Sequence, residues 1–395
     1  MLTDEELERL TAELLAIYTD MELQLVEDVA ERFKTYKDVG GTLKWHTAKL
    51  DEIGALNADL VKTIAAHTQK SRAEIRRMLK KAEFANIDTT AADAAYRNGV
   101  ITLSAAAIQK LPEVQRIYSS AYKEIIDGTV KLIETQAEQA AKQAYMQTLN
   151  QAYLETASGT YSYSEAIARG VKKMAQEGFY GATYYNPTTG KTRHMSIEAV
   201  VRRDAISACN RLGNDVLVGV AKEAKANYVE VSSHLGARTG DGRHDRTNHA
   251  WWQGYVYAIE GEGTPEADKA VGYHIRNLVQ TTGYGEVDGL GGVNCRHRMF
   301  MFFPGVSKPM ATKYDLKKNE QIYKTNQALR KLEREERRWK RVAAGLKKLP
   351  SDEEQQKILK DAEKHVSDYQ DKIIEFTKKH NLRRQPQREM IAEEM

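Results

Sequence analysis

The sequence predicts an α+β protein in which mainly α-helical arms flank a compact central domain with a few short β-strands. Before residue 157 and after residue 311, apolar residues recur every three or four positions, which is the helical period. The stretch 228–304 instead combines an alternating segment, paired aromatic residues and closely spaced glycines. We therefore expect an N-terminal helical domain over 1–157, a central α+β domain over 158–310 and a charged helical region over 311–395.

Composition limits the class of protein. Hydrophobic residues make up 41% and charged residues 29% of the 395 residues, as in soluble globular chains. No apolar run approaches the roughly 18 residues that span a bilayer, and the N-terminal MLTDEELERL lacks the apolar core of a secretory signal. We expect synthesis in a cytoplasm and no membrane partner. Cys209 and Cys295 are too few for a disulfide framework, and a net charge of +4 does not by itself indicate nucleic-acid binding.

The N-terminal arm is predicted from the spacing of its apolar residues. Over 4–37 these residues are separated by three or four positions, and Gly40-Gly41 is expected to end that helix. A second amphipathic helix follows. The pattern Ser71-x-x-Glu74 resembles a capping box, so we expect a third helix to begin there.

Cap and proline signals predict the next elements. Asp88 and Ser104 are expected to cap two short helices, and Pro112 suits the first turn of a long helix that runs to Ala157. Gly128 weakens this long helix and marks an expected kink.

In the central region, Ser164 is expected to cap a helix that ends near Glu177. Two β-leaning segments on either side of 186–190 predict a hairpin, and 196–226 has helical spacing. The alternation in 228–232 predicts a strand. In the C-terminal region we expect one helix over 314–348, a break at Leu349-Pro350, and a second helix capped by Ser351.

Histidines and one cysteine in the central stretch form a candidate zinc site. His234, His249, Cys295 and His297 have the side chains that zinc prefers. Structural zinc sites usually show two close pairs of ligands, whereas here only Cys295 and His297 are close in sequence. The competing interpretation is that the histidines hydrogen-bond to the backbone and that Cys295 is a buried thiol.

Catalytic and nucleotide-binding interpretations have weaker sequence support. Cys295 or Ser233 could act as a nucleophile beside a histidine, but no nucleophile-elbow motif is present. HDRTNH offers residue types found in metal nucleases, without a second acidic cluster. A phosphate-binding loop at Gly289, Gly291 and Gly292 would need a Walker lysine, which this stretch does not contain. These glycines are therefore expected to let the backbone turn tightly. Contact with DNA phosphate and pairing with nearby acids both remain open for the arginines of this stretch, which are Arg238, Arg243, Arg246, Arg296 and Arg298.

Three separated segments, VEVSSHLGAR, HAWWQGYVYAI and GLGGVNCRHRMFMFFPGVS, together resemble the phage minor capsid protein 2 family. This family is similar to the portal-associated minor head, or head-morphogenesis, proteins of tailed bacteriophages. The strong resemblance covers 161–307. It implies that the matching positions form one folded signature and docking site without a catalytic role; they are Ser233, His234, Arg238, His249, Trp252, Gln253, Gly254, Gly292, Asn294, Cys295, Arg296 and His297.

The resemblance implies a minor head protein of a tailed phage or prophage. Such a protein is expected in the virion head near the portal vertex, and in the host cytoplasm during assembly. The implied partners are the portal protein, which the N-terminal domain would contact, capsid or scaffold proteins, and double-stranded DNA bound non-specifically. The implied roles are head morphogenesis and DNA packaging or ejection, with no enzymatic activity and no cofactor. The alternative is a zinc- or histidine-dependent enzyme that processes nucleic acid at the His/Cys cluster.

Overall fold

Helices dominate the computed structural model, which describes residues 4–33, 42–85, 87–186 and 190–391. In chain order the α-helices are α1 (Asp4–Arg32), α2 (Thr42–Ala82), α3 (Thr89–Arg97), α4 (Ala105–Ile108), α5 (Pro112–Glu124), α6 (Lys131–Ala157), α7 (Tyr163–Glu177), α8 (Ile197–Glu223), α9 (His249–Trp252), α10 (Pro265–Val271), α11 (Leu278–Thr282), α12 (Leu316–Lys347) and α13 (Glu353–Lys379). Within the described ranges, no helix is both long and apolar enough to cross a membrane.

The strands form two separate sheets. In chain order they are β1 (Tyr180–Asn186), β2 (Lys191–Ser196), β3 (Tyr228–Val231), β4 (Val256–Ala258), β5 (Arg276–Asn277) and β6 (Met299–Phe302). β1 and β2 pair as the predicted antiparallel hairpin, and residues 187–189 of its turn lie outside the described residues. The second sheet has the order β5-β4-β3-β6, in which β3 is antiparallel to both of its neighbours and β4 is parallel to β5. The predicted α+β class is confirmed.

The chain divides into two compact units, each built from three segments. The sheet unit, named for the four-stranded sheet, comprises Met1–Thr11, Glu74–Ile126 and Arg202–Gln327. The hairpin unit, which contains β1 and β2, comprises Ala12–Ala73, Asp127–Val201 and Ala328–Met395. The domain boundaries expected at residues 157 and 310 stay a prediction.

The core of the sheet unit lies on both faces of β3, whose four residues are all buried. Val229 and Val231 belong to a cluster with Leu217 of α8, whereas Tyr228 belongs to a second cluster with Phe302. Successive strand residues point to opposite faces, so this division follows from the alternating period of the strand. The sheet therefore has an apolar layer on each side.

The hairpin unit is a packed set of helices with buried polar links. α7 packs against both α6 and α13, and Leu23, Ala344 and Ile391 form a buried apolar cluster. Arg337 donates to both carboxylate oxygens of Glu198, at 3.0 and 2.9 Å. Both side chains are at most a tenth exposed. This ion pair is therefore shielded from water.

The prediction of a helix start at Ser71 was wrong. α2 runs through this position without a break, from Thr42 to Ala82. The Ser71 hydroxyl donates to the carbonyl of Thr68 at 2.8 Å and lies 3.1 Å from the hydroxyl of Tyr18. A serine hydroxyl can bond backward to its own helix, so the S-x-x-E pattern does not require a helix start.

Two further predicted caps are displaced. Ser162, rather than Ser164, caps α7 by accepting from the N–H of Glu165. Asp352, rather than Ser351, caps α13 by accepting from the N–H of Gln355. In each case the helix begins close to the predicted position, because several residues with good capping side chains are clustered there.

The remaining sequence signals give mixed outcomes. Ser104 caps α4 and Pro112 occupies the first turn of α5, as predicted. The long helix predicted to reach Ala157 is interrupted by a π-helical segment, Ile125–Val130, which contains Gly128. The predicted stop at Gly40-Gly41 lies outside the described residues.

Candidate functional site

Two histidines and a cysteine converge in the sheet unit. His249, Cys295 and His297 each place one ligand atom within 4.8 Å of the others, and all three residues are buried. Of the four residues predicted as a zinc set, the structure groups these three, which we call the His/Cys cluster. The ring of His234 stacks on that of His297, with 4.6 Å between the ring centroids, outside the group of ligand atoms. The fold thus brings His249 to Cys295 across a long stretch of sequence.

A short capped helix positions His249. It is the first residue of α9, and the preceding Asn248 accepts from the N–H of Trp251 at 3.1 Å. Asn248 also donates to the carbonyl of Arg243 at 2.9 Å, which fixes the loop before the helix. Asparagine is among the best N-cap residues, so the sequence TNHAWW favours a helix start at this point.

Two asparagines on α8 hold the segment that carries Cys295 and His297. Asn210 donates to the carbonyls of Cys295 and His297 at 3.1 and 2.8 Å. Asn214 donates to the carbonyl of His297 at 3.2 Å and accepts from the N–H of Met299 at 3.0 Å. Residues four apart share one helix face, so both amides reach the same backbone segment. The sequence analysis missed both residues. The signal that could have revealed them is a pair of amide side chains, four residues apart, among the buried positions of α8.

The backbone before Cys295 is tightly folded. A β-carbon at Gly292 would lie 2.5 Å from the carbonyl oxygen of Glu286, closer than real side chains approach. Asn294 has a φ of +55° and donates its N–H to the hydroxyl of Ser207 at 3.1 Å. Arg238 donates to the carbonyl of Val293 at 2.6 Å. The predicted role of the glycines in a tight turn therefore has a direct steric cause at Gly292.

A hydrogen bond from Nε2 fixes the tautomer of each of the two clustered histidines. His249 donates from Nε2 to the carbonyl of Asp288 at 3.0 Å, because a carbonyl can only accept. The side-chain oxygen of Gln253 accepts from the backbone N–H of His234 at 2.9 Å, and it also accepts from Nε2 of His297 at 3.0 Å. These bonds leave Nδ1 of each clustered histidine as the nitrogen with a lone pair. Nδ1 of His297 lies 3.7 Å from Sγ of Cys295.

The cluster favours neutral imidazoles. Burial lowers the pKa of His249 to about 4, against a smaller opposing effect of its hydrogen bond to Asp288. Burial also lowers the pKa of His297 well below its ordinary value, and the neighbouring His234 and His249 act in the same direction. Neutral imidazole is the form that binds metal ions.

The aromatic and glycine residues of the predicted site enclose the cluster. Trp252 is buried, and its ring centroid lies 4.5 Å from that of His249 and 4.8 Å from that of His297. Its indole N–H donates to the carbonyl of Arg246 at 3.0 Å. Gly254 has a φ of +75° and donates its N–H to Val231, which joins the end of α9 to β3.

Two residues of the predicted site direct their polar atoms elsewhere. The hydroxyl of Ser233 donates to the carbonyl of Thr312, and Arg296 pairs with Glu8. Neither contact involves the His/Cys cluster. Two other arginines of this stretch also pair with nearby acids, which is one of the two interpretations left open above. Arg243 pairs with Asp241, and Arg246 pairs with Asp288.

This arrangement limits the chemistry available. Cys295 is 1% exposed, so its sulfur is not presented to a substrate, and Ser233 has no histidine as its hydrogen-bond partner in the described contacts. The group of ligand atoms contains no carboxylate that could serve as a general base beside a metal. Two nitrogens and one sulfur instead make a donor set typical of Zn²⁺.

A sequence profile described as Phage minor capsid protein 2 matches residues 2–378. The match includes the helical regions on both sides of the His/Cys cluster as well as the cluster itself. No significant match was found among curated proteins or among solved structures.

Proposed function

Since this chain belongs to the phage minor capsid protein 2 family, we propose that it acts structurally at the portal vertex of the phage head. In this proposal its partners are the portal protein and the capsid or scaffold proteins. It would be recruited in the host cytoplasm during assembly, retained in the virion, and required for head morphogenesis. The proposal is the same whether a free phage or a prophage encodes the chain.

The observation that carries the proposal is the extent of the family match. It spans residues 2–378, so the N-terminal helical region and most of the C-terminal one match the family together with the central segment. Long helices such as α12 and α13 suit a protein that reaches between the components of an assembly. The cluster geometry adds no exposed nucleophile or carboxylate base, which supports a non-enzymatic role.

We assign one contact surface to the β1–β2 hairpin. Tyr184 and Tyr185 at its distal end are 40% and 65% exposed. Closer to α8, Tyr180 stacks on His194 with 4.3 Å between ring centroids, and Thr183 hydrogen-bonds to the same histidine. A hairpin stiffened by cross-strand pairs that exposes tyrosines suits a protein interface, where aromatic residues are enriched. The proposed occupant is the portal protein, in addition to the portal contact proposed for the N-terminal domain.

Non-specific binding of double-stranded DNA, with a role in packaging or ejection, is a secondary part of the proposal. The side chain of Arg243 is 82% exposed and pairs only loosely with Asp241, at 3.3 Å. Binding of this kind should weaken steeply as salt concentration rises. Retention of labelled duplex DNA at low salt, and its loss in Arg243→Ala, would support this part.

Fractionation of phage particles tests the main proposal. Procapsids and mature heads are purified from cells that express a tagged chain, and the tag is quantified beside the portal and major capsid proteins. We expect the chain in both particles, cross-linked to portal protein, and we expect Tyr185→Ser to reduce cross-linking severalfold. Ile374→Ser is the control, because Ile374 is 47% exposed on α13, outside the N-terminal domain and the hairpin. Absence of the chain from both procapsids and heads would contradict the proposal.

A further inference from the structure

We propose that His249, Cys295 and His297 bind one Zn²⁺ ion, which links α9 to the segment that leads into β6. This site goes beyond the proposed head function and does not depend on it. It is argued from the positions of the ligand atoms, the hydrogen bonds behind them and the chemistry of the donor set.

The separation of the ligand atoms fits a tetrahedral ion. With Zn–S and Zn–N bonds of about 2.3 and 2.05 Å, a tetrahedral angle places sulfur and nitrogen about 3.6 Å apart. The observed distance from Sγ of Cys295 to Nδ1 of His297 is 3.7 Å. The third ligand atom, from His249, lies within 4.8 Å of both. We expect the His249 side chain to move inward on ion binding and so complete the three-ligand set.

Each histidine has the outer hydrogen bond that a metal-bound imidazole requires. His249 and His297 donate from Nε2 to the Asp288 carbonyl and to the Gln253 side-chain oxygen, both at 3.0 Å. Such bonds fix the tautomer and leave Nδ1 as the nitrogen that can bind the metal. The carbonyl of Cys295 is likewise held by Asn210. The ligands are therefore oriented by contacts that do not involve the ion.

The donor set selects the class of metal. Thiolate and imidazole favour Zn²⁺ over Mg²⁺ and Ca²⁺, which take oxygen ligands. On binding, the thiol proton of Cys295 passes to solvent, a sulfur–zinc bond replaces the sulfur–hydrogen bond, and both imidazoles bind neutral without any redox change. His234 presents its ring face to His297, so we leave the fourth position to a water molecule. The ion would be enclosed, because the three ligands are only 1–2% exposed.

The first test measures metal in the purified full-length chain. Protein from zinc-supplemented cells is dialysed against metal-free buffer, and bound zinc is counted by elemental mass spectrometry. We expect about one zinc per chain in the wild type, in Cys209→Ala and in His234→Ala. We expect less than about a tenth of that in Cys295→Ala and His249→Ala. Cys209 is the matched control, because it is the other buried cysteine of the sheet unit.

Cobalt substitution keeps the test decisive if the ligand variants fail to fold. Co²⁺ bound to a thiolate gives a charge-transfer band in the near ultraviolet, and tetrahedral Co²⁺ gives intense visible bands. The chain has two cysteines, so persistence of the charge-transfer band in Cys209→Ala assigns it to Cys295. Absence of zinc and of both band sets in the folded wild type overturns the site. That result would leave the particle-association experiment unaffected.

Discussion

Replacing Asn214 by alanine is expected to destabilise the sheet unit by about 3 kcal/mol. Asn214 is fully buried and makes two bonds to the segment that leads into β6. Without it, the N–H of Met299 loses its acceptor, which costs about 1–3 kcal/mol for a buried donor. The carbonyl of His297 keeps a donor in Asn210, at 2.8 Å, so the second lost bond costs only about 0.5–1.5 kcal/mol.

Asn210→Ala should be milder than Asn214→Ala. Its amide nitrogen serves two carbonyls, but its side-chain oxygen is buried without a hydrogen-bond partner among the described residues. Alanine therefore removes an unpaired acceptor along with the two useful bonds. The structure thus predicts an order of effects, with Asn98→Ala at an exposed position after α3 as the control.

Hydrogen exchange measured by mass spectrometry resolves this order locally. A loss of about 3 kcal/mol corresponds to roughly a hundredfold faster exchange in a peptide covering 295–303, at about 1.4 kcal/mol per factor of ten. Asn210→Ala should accelerate exchange less, and Asn98→Ala should leave this peptide unchanged. Exchange in Asn214→Ala within about threefold of the wild type would refute the reasoning, as would a larger effect from Asn210→Ala.

Three further changes test other parts of the molecule. Gly292→Ala should lower stability by about 1–3 kcal/mol through its clash with backbone oxygens, measured by denaturant unfolding; an unchanged midpoint would contradict the steric argument. Arg337→Ala should destabilise the hairpin unit by about 3–5 kcal/mol, because it leaves the Glu198 carboxylate buried without its bidentate partner, and Arg337→Lys should recover only part of the loss. The hydrogen bond that His274 donates to the Asp268 carboxylate raises the pKa of His274, so Asp268→Asn should lower this pKa in an NMR titration. The stability from this pair is complete below the ordinary histidine pKa of about 6.5 and is lost as pH rises through the raised value.

Periodicity identified the helices but not their continuity. Steps of three and four residues report an apolar face, and that face continues unchanged through Ser71 because its hydroxyl is satisfied inside α2. At the π-helical segment Ile125–Val130, the sequence likewise predicted only a kink at Gly128. One added residue in a helical turn leaves the apolar spacing nearly intact, so a pattern of this kind cannot register it.

The sequence predicted the metal-binding residue types of the candidate site, but not the side chains that hold these residues in place. His249, Cys295 and His297 were chosen because they have metal-binding side chains, while their spacing counted against a shared site. Their proximity depends on the order of strands in the sheet, which no local pattern encodes. Asn210 and Asn214 escaped notice for a related reason: an amide on a helix has no evident partner until the strand beside it is known.

The construction of the sheet unit explains why a cross-link would matter there. Its strands have only two to four residues each, so few backbone bonds join them. Sheets this short gain little order from their ladders. The irregular segments between the strands have backbone hydrogen bonds of their own, and side chains that bond to backbone hold them further. Asn214 holds the segment before β6, and Asn319 of α12 accepts from two backbone N–H groups at 236–237, at 2.8 and 2.9 Å. The His/Cys cluster brings two such segments together in the buried core, so a bound ion would add a direct link between them.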